Sequence, residues 1–203
     1  MTTLHLIRHG QTDWNQERRI QGQTDSNLNA LGHRQAEEIA LQLKTIPFHA
    51  AYSSSSLRAR DTATAILKHH GLTLNLRDDM REIHLGAWEG RLYAEVSAAE
   101  NDKDHMRYFQ QDPSQFNLPG AETFHDVQRR ALAVITDLRA KHTNQHLLLV
   151  SHGIWIKSIL AHLEQRHIRD FWQPPQMSNC CHSIVEFDGD DAKIVQYAGF
   201  RQW

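Results

Sequence analysis

The chain has almost none of the features that tie a protein to a membrane, a disulfide framework or a nucleic acid. Its only cysteines, Cys180 and Cys181, are adjacent and cannot staple distant segments, so a reducing, cytoplasmic compartment is expected. His182 follows them, but no second ligand pair stands at zinc-like spacing. Buried or half-buried thiols are expected there, and no metal. The longest apolar run near the start, Leu4 to Ile7, contains His5 and is too short for a signal-peptide core or a membrane span. The formal net charge is only −2, so no global basic field points to nucleic acid or to a membrane surface. An anion site here has to be built locally, from a few converging cations. No repeat, low-complexity tract or linker interrupts the pattern, and residues 1–203 read as a single domain.

What the chain does have is an alternation of strand and helix signals. Thr3 to Arg8 reads as a short apolar strand running into His9-Gly10. After a polar stretch, Leu31 to Leu43 sets Ala36, Ile39, Ala40 and Leu43 on one helical face, with Asn29 as N-cap. His49 to Ser53 is a second strand, Ser54 to His70 a helix ended by Gly71, and Leu72 to Leu76 a third strand. A helix is expected around Glu95 to Phe109, and a long amphipathic one from Phe124 through Val127, Ala131, Ile135 and Leu138. His146 to Ser151 reads as a strand covered on both faces, leading through His152-Gly153 into a helix to about His162. Two late strands, Ser183 to Phe187 and Ala192 to Tyr197, follow. This order predicts an α/β fold, a three-layer α/β/α sandwich on a mostly parallel central sheet. The irregular stretch 86–120 is expected as an insertion over the site.

Two segments share a grammar, Leu6-Ile7-Arg8-His9-Gly10 and Leu149-Val150-Ser151-His152-Gly153. Each sets a histidine at the carboxyl end of a strand, where catalytic groups of such folds collect. On neighbouring strands, the two imidazoles face each other over one small gap. A phosphoryl group needs positive charge and directed donors around it. Arg8 adjoins the first histidine, and Arg58 stands near a helix start whose dipole adds to its charge. Arg60 is the rival, but two positions along a helix it points elsewhere. Asn15 and Gln21, in the loop after His9, have amides to offer phosphate oxygens. A proton donor for the leaving oxygen is sought among carboxylates. Glu82, just past a predicted strand in an apolar setting that raises its proton affinity, is preferred to Glu89, which stays open.

These residues resemble the histidine phosphatase superfamily, the phosphoglycerate-mutase-like group, in order and across nearly the whole chain. The resemblance lies in Arg8-His9-Gly10-Gln11-Thr12-x-x-Asn15, Arg58-Ala59-x-x-Thr62-Ala63, Arg81-Glu82-x-x-x-Gly86-x-Trp88-Glu89-Gly90 and Ser151-His152-Gly153. Several shorter runs, among them Trp172-x-Pro174-Pro175-x-Met177, are similar to a bacterial broad-specificity phosphatase branch. The resemblance implies that His9 is the nucleophile, forming a phosphohistidine through Nε2 while Nδ1 donates to a backbone carbonyl. It implies that Arg8, Arg58 and His152 hold the phosphoryl group, with His152 as a cation beside it, and that Glu82 is the acid and base. Asn15, the Gln21-Gly22 pair and Gly153 then join the phosphate-binding set. No cofactor and no metal is implied, and the expected partner is a small phosphorylated substrate. Nothing in the chain speaks to oligomeric state. Ala121-Glu122-Thr123 departs from the Gly-Glu-Ser of many members but keeps the hydroxyl.

Two other functions compete with a phosphatase. A phosphoglycerate mutase starts from the same phosphohistidine, but grips the substrate carboxylate with an Arg-Arg pair in a longer segment. Here that interval holds only Arg129-Arg130, within the amphipathic helix. A non-catalytic phosphate- or phosphoprotein-binding module has no evident use for a general acid.

Overall fold

A single mixed sheet runs through the protein, whose computed structural model describes residues 1–201. In chain order its strands are β1 (Thr2–Arg8), β2 (Phe48–Ser54), β3 (Leu74–Arg77), β4 (His146–Ser151), β5 (His182–Asp188), β6 (Asp191–Tyr197) and β7 (Phe200–Arg201). Across the sheet they lie in the order β3-β2-β4-β1-β5-β6-β7. The first four in that order are parallel; β5, β6 and β7 continue the sheet antiparallel. The short β7 had no counterpart in the sequence reading. Among the described residues, no helix is long and apolar enough to cross a membrane.

Seven α-helices connect and cover the described strands: α1 (Asp13–Glu17), α2 (Ala30–Leu43), α3 (Leu57–Leu67), α4 (Tyr93–Ala98), α5 (Lys103–Gln111), α6 (Phe124–Lys141) and α7 (Gly153–Leu163). Side chains alternate across each strand, and the two core clusters follow from that alternation. Ile7, Leu148 and Val150 face α2 and α3, packing on Ile39, Leu43, Ala63 and Ile66. Leu4, Leu6, Leu147 and Leu149 face α6 and α7, packing on Val127, Ile135, Ile156 and Ile159. Each such side chain contributes about 1.5–3 kcal/mol on burial. This is the three-layer sandwich the alternation predicted.

Boundaries differ in places that matter. The helix expected from Ser54 begins at Leu57 and ends at Leu67, because β2 keeps its pairing through Ser54, opposite Arg77 of β3. Asn29 caps α2 as expected, accepting from the Gly32 amide at 2.9 Å. The helix expected over 95–109 is broken into α4 and α5. At the break, Asp102 turns to accept from Trp88 Nε1 (2.7 Å) and Arg91 (2.8 Å). Cys180 and Cys181 lie in the turn before β5; both are free thiols, one half-buried and one buried.

Three histidines form a hydrogen-bonded row across β4, β1 and β5. His5 Nδ1 lies 3.0 Å from His182 Nε2, and His5 Nε2 lies 3.2 Å from His146 Nδ1. Burial, with His182 and His146 adding, pushes His5 down to about 3; burial pushes His182 down to about 4. These rings stay neutral in the fold while unfolded histidine takes a proton near pH 6.5. Their contribution is complete above about pH 6.5 and is lost on acidification towards the folded values. The loss is up to about 1.4 kcal/mol per pH unit for each ring. Denaturant unfolding between pH 7 and about pH 5 checks this. Stability falls in the wild type, and His5→Phe flattens the fall; a pH-independent midpoint contradicts it.

Candidate active site

The register of the central strands brings the two histidines together. Arg8 is paired with Ser151 across β1 and β4, so the residues that follow, His9 and His152, leave the sheet side by side. Their ring centroids are 5.2 Å apart. Gly10 lets β1 turn away: a Cβ there would meet the Gly32 carbonyl oxygen at 2.5 Å. Its amide donates to Thr62 Oγ1 at 3.0 Å. His9 Nδ1 lies 2.7 Å from the Gly10 carbonyl oxygen, which can only accept, so Nδ1 carries the proton. Burial first, then Arg58 and Arg8, hold His9 well below histidine's usual value. The ring is neutral, with the lone pair on Nε2.

His152 is wholly buried behind the cavity wall. Its Nε2 lies 2.8 Å from Ser54 Oγ and 3.2 Å from Ser56 Oγ, and its Nδ1 has no partner. Burial, with Arg58, His9 and Arg8 adding, holds it well below the usual value too. The cation expected at this position therefore depends on an anion, since the protein's own field keeps the ring neutral. Ser54 and Ser56 were missed in the sequence; the run Ser53-Ser54-Ser55-Ser56 was the available signal.

Arg58 is sealed beside these rings, and Arg8 is half-buried against the cavity. Arg58, in the first turn of α3 and 1% exposed, donates to the Gly22 carbonyl (2.7 Å) and the Thr24 carbonyl (2.9 Å). Arg8 donates to the Met177 carbonyl. Both Nε atoms are buried without a partner. Burial lowers both groups, Arg58 to about 10, with Glu82 opposing in each, so both stay cationic at neutral pH. Arg60, the rival, pairs with Asp61 on the surface. Gly22 adopts φ +54°, and a Cβ there would lie 2.1 Å from Glu89 Oε1, so only glycine fits.

The two carboxylates do different things. Glu82 Oε1 accepts from the amides of Ile83 (3.0 Å) and Trp155 (3.1 Å), and Oε2 accepts from the Ile154 amide (3.1 Å). Its setting thus joins the N-terminus of α7 to the apolar side chains of Ile83, Leu85 and Ile154 in the same cavity. Glu89 binds the loop below: it accepts from Gln23, Thr24, Leu85 and His84. Burial pushes Glu89 up, but the bonds from Thr24, Leu85 and Gln23 outweigh it and leave it below the usual carboxylate range. Glu82 lines the cavity; Glu89 does not.

That cavity, of about 310 Å³, is floored by Arg8, His9, Asn15, Gln21, Gly22, Arg58 and Glu82. Asn15 Oδ1 accepts from the Thr12 amide and from Asn179, and Gln21 Oε1 accepts from Thr12 Oγ1, which leaves both NH2 groups unengaged by these bonds. Gly153 is placed next door, in a cavity of about 230 Å³ that shares Arg8 and Glu82. A Cβ on it would stand 3.6 Å from Arg8 Nε. One further residue went unread in the sequence, and another was read only as half of an Arg-Arg pair. Asn179 Nδ2 donates to the His9 carbonyl at 3.2 Å. Arg130 ties the Glu82 loop down, donating to the carbonyls of Asp79 (3.0 Å), Arg81 (2.6 Å) and Glu82 (2.9 Å) while pairing with Glu122 (2.8 Å). Thr123 caps α6 through its hydroxyl, so the departure at 121–123 keeps its function there.

Unpaired cationic donors, a neutral imidazole with a free lone pair and a carboxylate, all around one cavity at the parallel strands of the sheet, define a site of the phosphoryl-transfer class. The chain belongs to the histidine phosphatase superfamily (branch 1), whose pattern matches residues 4–198. A covalent phosphohistidine is that family's general feature. The "Uncharacterized phosphatase PhoE" of Bacillus subtilis (strain 168) is 29% identical over 197 residues, covering 97% of this chain and 94% of that one. The "Probable phosphoglycerate mutase GpmB" of Escherichia coli is 34% identical over 193 residues, covering 92% and 86%. The solved structure of Bacillus stearothermophilus YhfR superimposes with a TM-score of 0.94 at 33% identity, covering 98% of this chain and 97% of that one.

Inorganic phosphate should therefore stabilise the protein by mass action. At a hundredfold excess over its Kd the gain is about 2.7 kcal/mol, read as a rise in the thermal midpoint. Arg58→Met should abolish the rise while leaving the fold; an unchanged rise in that variant contradicts the assignment.

Proposed function

We propose that the protein hydrolyses small-molecule phosphomonoesters through a phosphohistidine on His9, as a phosphoric monoester hydrolase of the histidine acid phosphatase type. The observation that carries this is His9 itself, with Nδ1 on the Gly10 carbonyl and its burial beside Arg58 and Arg8. A neutral ring with that tautomer presents its Nε2 lone pair to phosphorus. In the first step the Nε2–P bond forms and the ester O–P bond breaks. Glu82, entering as the carboxylic acid, gives its proton to the leaving alkoxide. In the second, the Glu82 carboxylate takes a proton from water as that oxygen attacks phosphorus. The N–P bond breaks, and orthophosphate leaves. Arg8, Arg58 and His152 stabilise the charge on the transferring oxygens. Asn15, Gln21, Gly22 and Gly153 complete the phosphate-binding set.

The outer wall supports a substrate class. Ile20, Leu85, Trp88, Tyr93, Met106 and Phe109 make it largely apolar, and the last four belong to the segment we read as the cover over the site. Its one cation, Arg19, is paired with Glu17 and bonded to the Gly90 carbonyl. Lys103 and Arg107 lie on the exposed face of α5 with acidic partners. Esters of apolar or aromatic alcohols fit this wall better than substrates with a second anion.

The likeness to a mutase-named relative keeps phosphoglycerate isomerisation in view. Against it, Arg129 is exposed and pairs with Asp126, and Arg130 is committed to the Glu82 loop. Neither is available to grip a substrate carboxylate. A phosphate-binding module without turnover leaves the carboxylate of Glu82 unexplained.

With p-nitrophenyl phosphate, His9→Ala should lower kcat by at least about 10³-fold. Wild-type protein quenched during turnover should carry acid-labile phosphate on His9. Activity retained in His9→Ala overturns the reading. Offered 1-naphthyl phosphate and 3-phosphoglycerate, the enzyme should favour the first in kcat/KM and release free phosphate. Conversion of 3-phosphoglycerate to its isomer, primed by the bisphosphate, establishes the mutase instead.

A further inference from the structure

Lys157, on α7, is an ammonium group sealed inside the protein at 2% exposure, and the chemistry above makes no use of it. Its Nζ donates to the Gln173 carbonyl at 2.6 Å and the Pro175 carbonyl at 2.8 Å. Arg166, paired with Glu164, donates to the carbonyls of Gln173 (2.8 Å) and Pro174 (3.1 Å). Three successive carbonyls are thus held by two cations. Two residues further on, the Met177 carbonyl accepts from Arg8. The same segment then wraps the end of β1: Cys181 accepts from the Arg8 amide, and Cys180 and Asn179 donate to the His9 carbonyl, each at 3.2 Å.

We infer that Lys157 is a positioning residue for the phosphoryl site. By pinning Gln173 and Pro175 to α7, it holds the Met177 carbonyl where that carbonyl anchors one arm of Arg8 and leaves Arg8 Nε free for phosphate. The inference rests on the reading of Arg8 as a phosphate ligand. A lysine suits the task because a compact ammonium with three donors bridges two carbonyls at once, and charged donors make the stronger bonds. Removing it leaves the Pro175 carbonyl without its donor and the Gln173 carbonyl with Arg166 alone, so the segment must shift to satisfy them. The loop's movement reaches Arg8 through a single hydrogen bond. Arg8, Lys157 and Met177 line the same 230 Å³ cavity. Burial, with Arg166 adding and Glu164 opposing, brings Lys157 down to about 8, which leaves it charged at neutral pH.

A double-mutant cycle on kcat/KM for p-nitrophenyl phosphate separates this role from a merely structural one. In the wild-type background Lys157→Met is expected to cost on the order of 10²-fold, the scale of a misplaced catalytic group. In an Arg8→Ala background the same substitution is expected to change kcat/KM by less than about twofold, since the group it positions is gone. The drop in thermal midpoint should be the same in both. Lys157→Gln, which keeps two N–H donors on a shorter stem, should fall between wild type and Met, and runs the same cycle if the Met variant does not fold. Equal factors in the two backgrounds, or full activity in a folded Lys157→Met, overturn the inference and leave the proposed function standing. An Arg8→Ala variant with undiminished kcat/KM overturns both.

Discussion

Two guanidinium groups held by backbone carbonyls, Arg58 buried and Arg8 half-buried, with no carboxylate sharing their forks, are the constraint from which the rest of the site follows. Burying a cation without an ionic partner is costly unless its donors are satisfied. Here Gly22, Thr24 and Met177 supply carbonyl acceptors, and the Nε of each arginine is left without a partner. Burial first, with this charge adding, lowers both neighbouring imidazoles below their ordinary range. That keeps His9 neutral, the state a nucleophile needs. A tetrahedral anion fits such a field because it meets donors already desolvated and already aimed, with no reorganisation at the moment of reaction.

Rigidity around Glu82 completes the arrangement. The loop before it is fastened from three directions: Arg130 from α6, Ser151 Oγ on the Met80 carbonyl at 2.7 Å, and Trp155 Nε1 on the Asp79 carbonyl at 2.9 Å. The carboxylate then accepts the first free amides of α7, the helix that begins beside His152. One element therefore places the second histidine and orients the Glu82 carboxylate. The Arg130–Glu122 pair acts on this loop from outside the cavity, so its contribution is to geometry.

Much of this was legible in the sequence, for identifiable reasons. Strands and amphipathic helices are local patterns, and the parallel pairing of β1 with β4 follows from two apolar segments that end alike in His-Gly. Arg58 could be preferred to Arg60 because helix geometry separates them, and the structure puts one inside and the other on the surface. What stayed hidden depends on contacts between residues far apart in the chain. Ser54 meets His152 across 98 positions, and Arg130 meets the Glu82 carbonyl across 48. The strand was read as ending at Ser53, whereas pairing with β3 carries it one residue further. The apolar surroundings expected for Glu82 are there in the cavity wall, but the helix N-terminus that lies against the carboxylate was not foreseen. The roles assigned to His9 and Glu82 came from family resemblance; spacing alone gave only their neighbourhood.

The central claim is that one tetrahedral anion is shared by the imidazoles of His9 and His152 and the guanidinium groups of Arg8 and Arg58. A crystal structure with orthovanadate tests it most directly. The account predicts vanadium in line with His9 Nε2, and vanadate oxygens within hydrogen-bonding distance of Arg8 Nε, Arg58 Nε and His152 Nδ1. Vanadate bound elsewhere, or met by His9 through Nδ1, contradicts it.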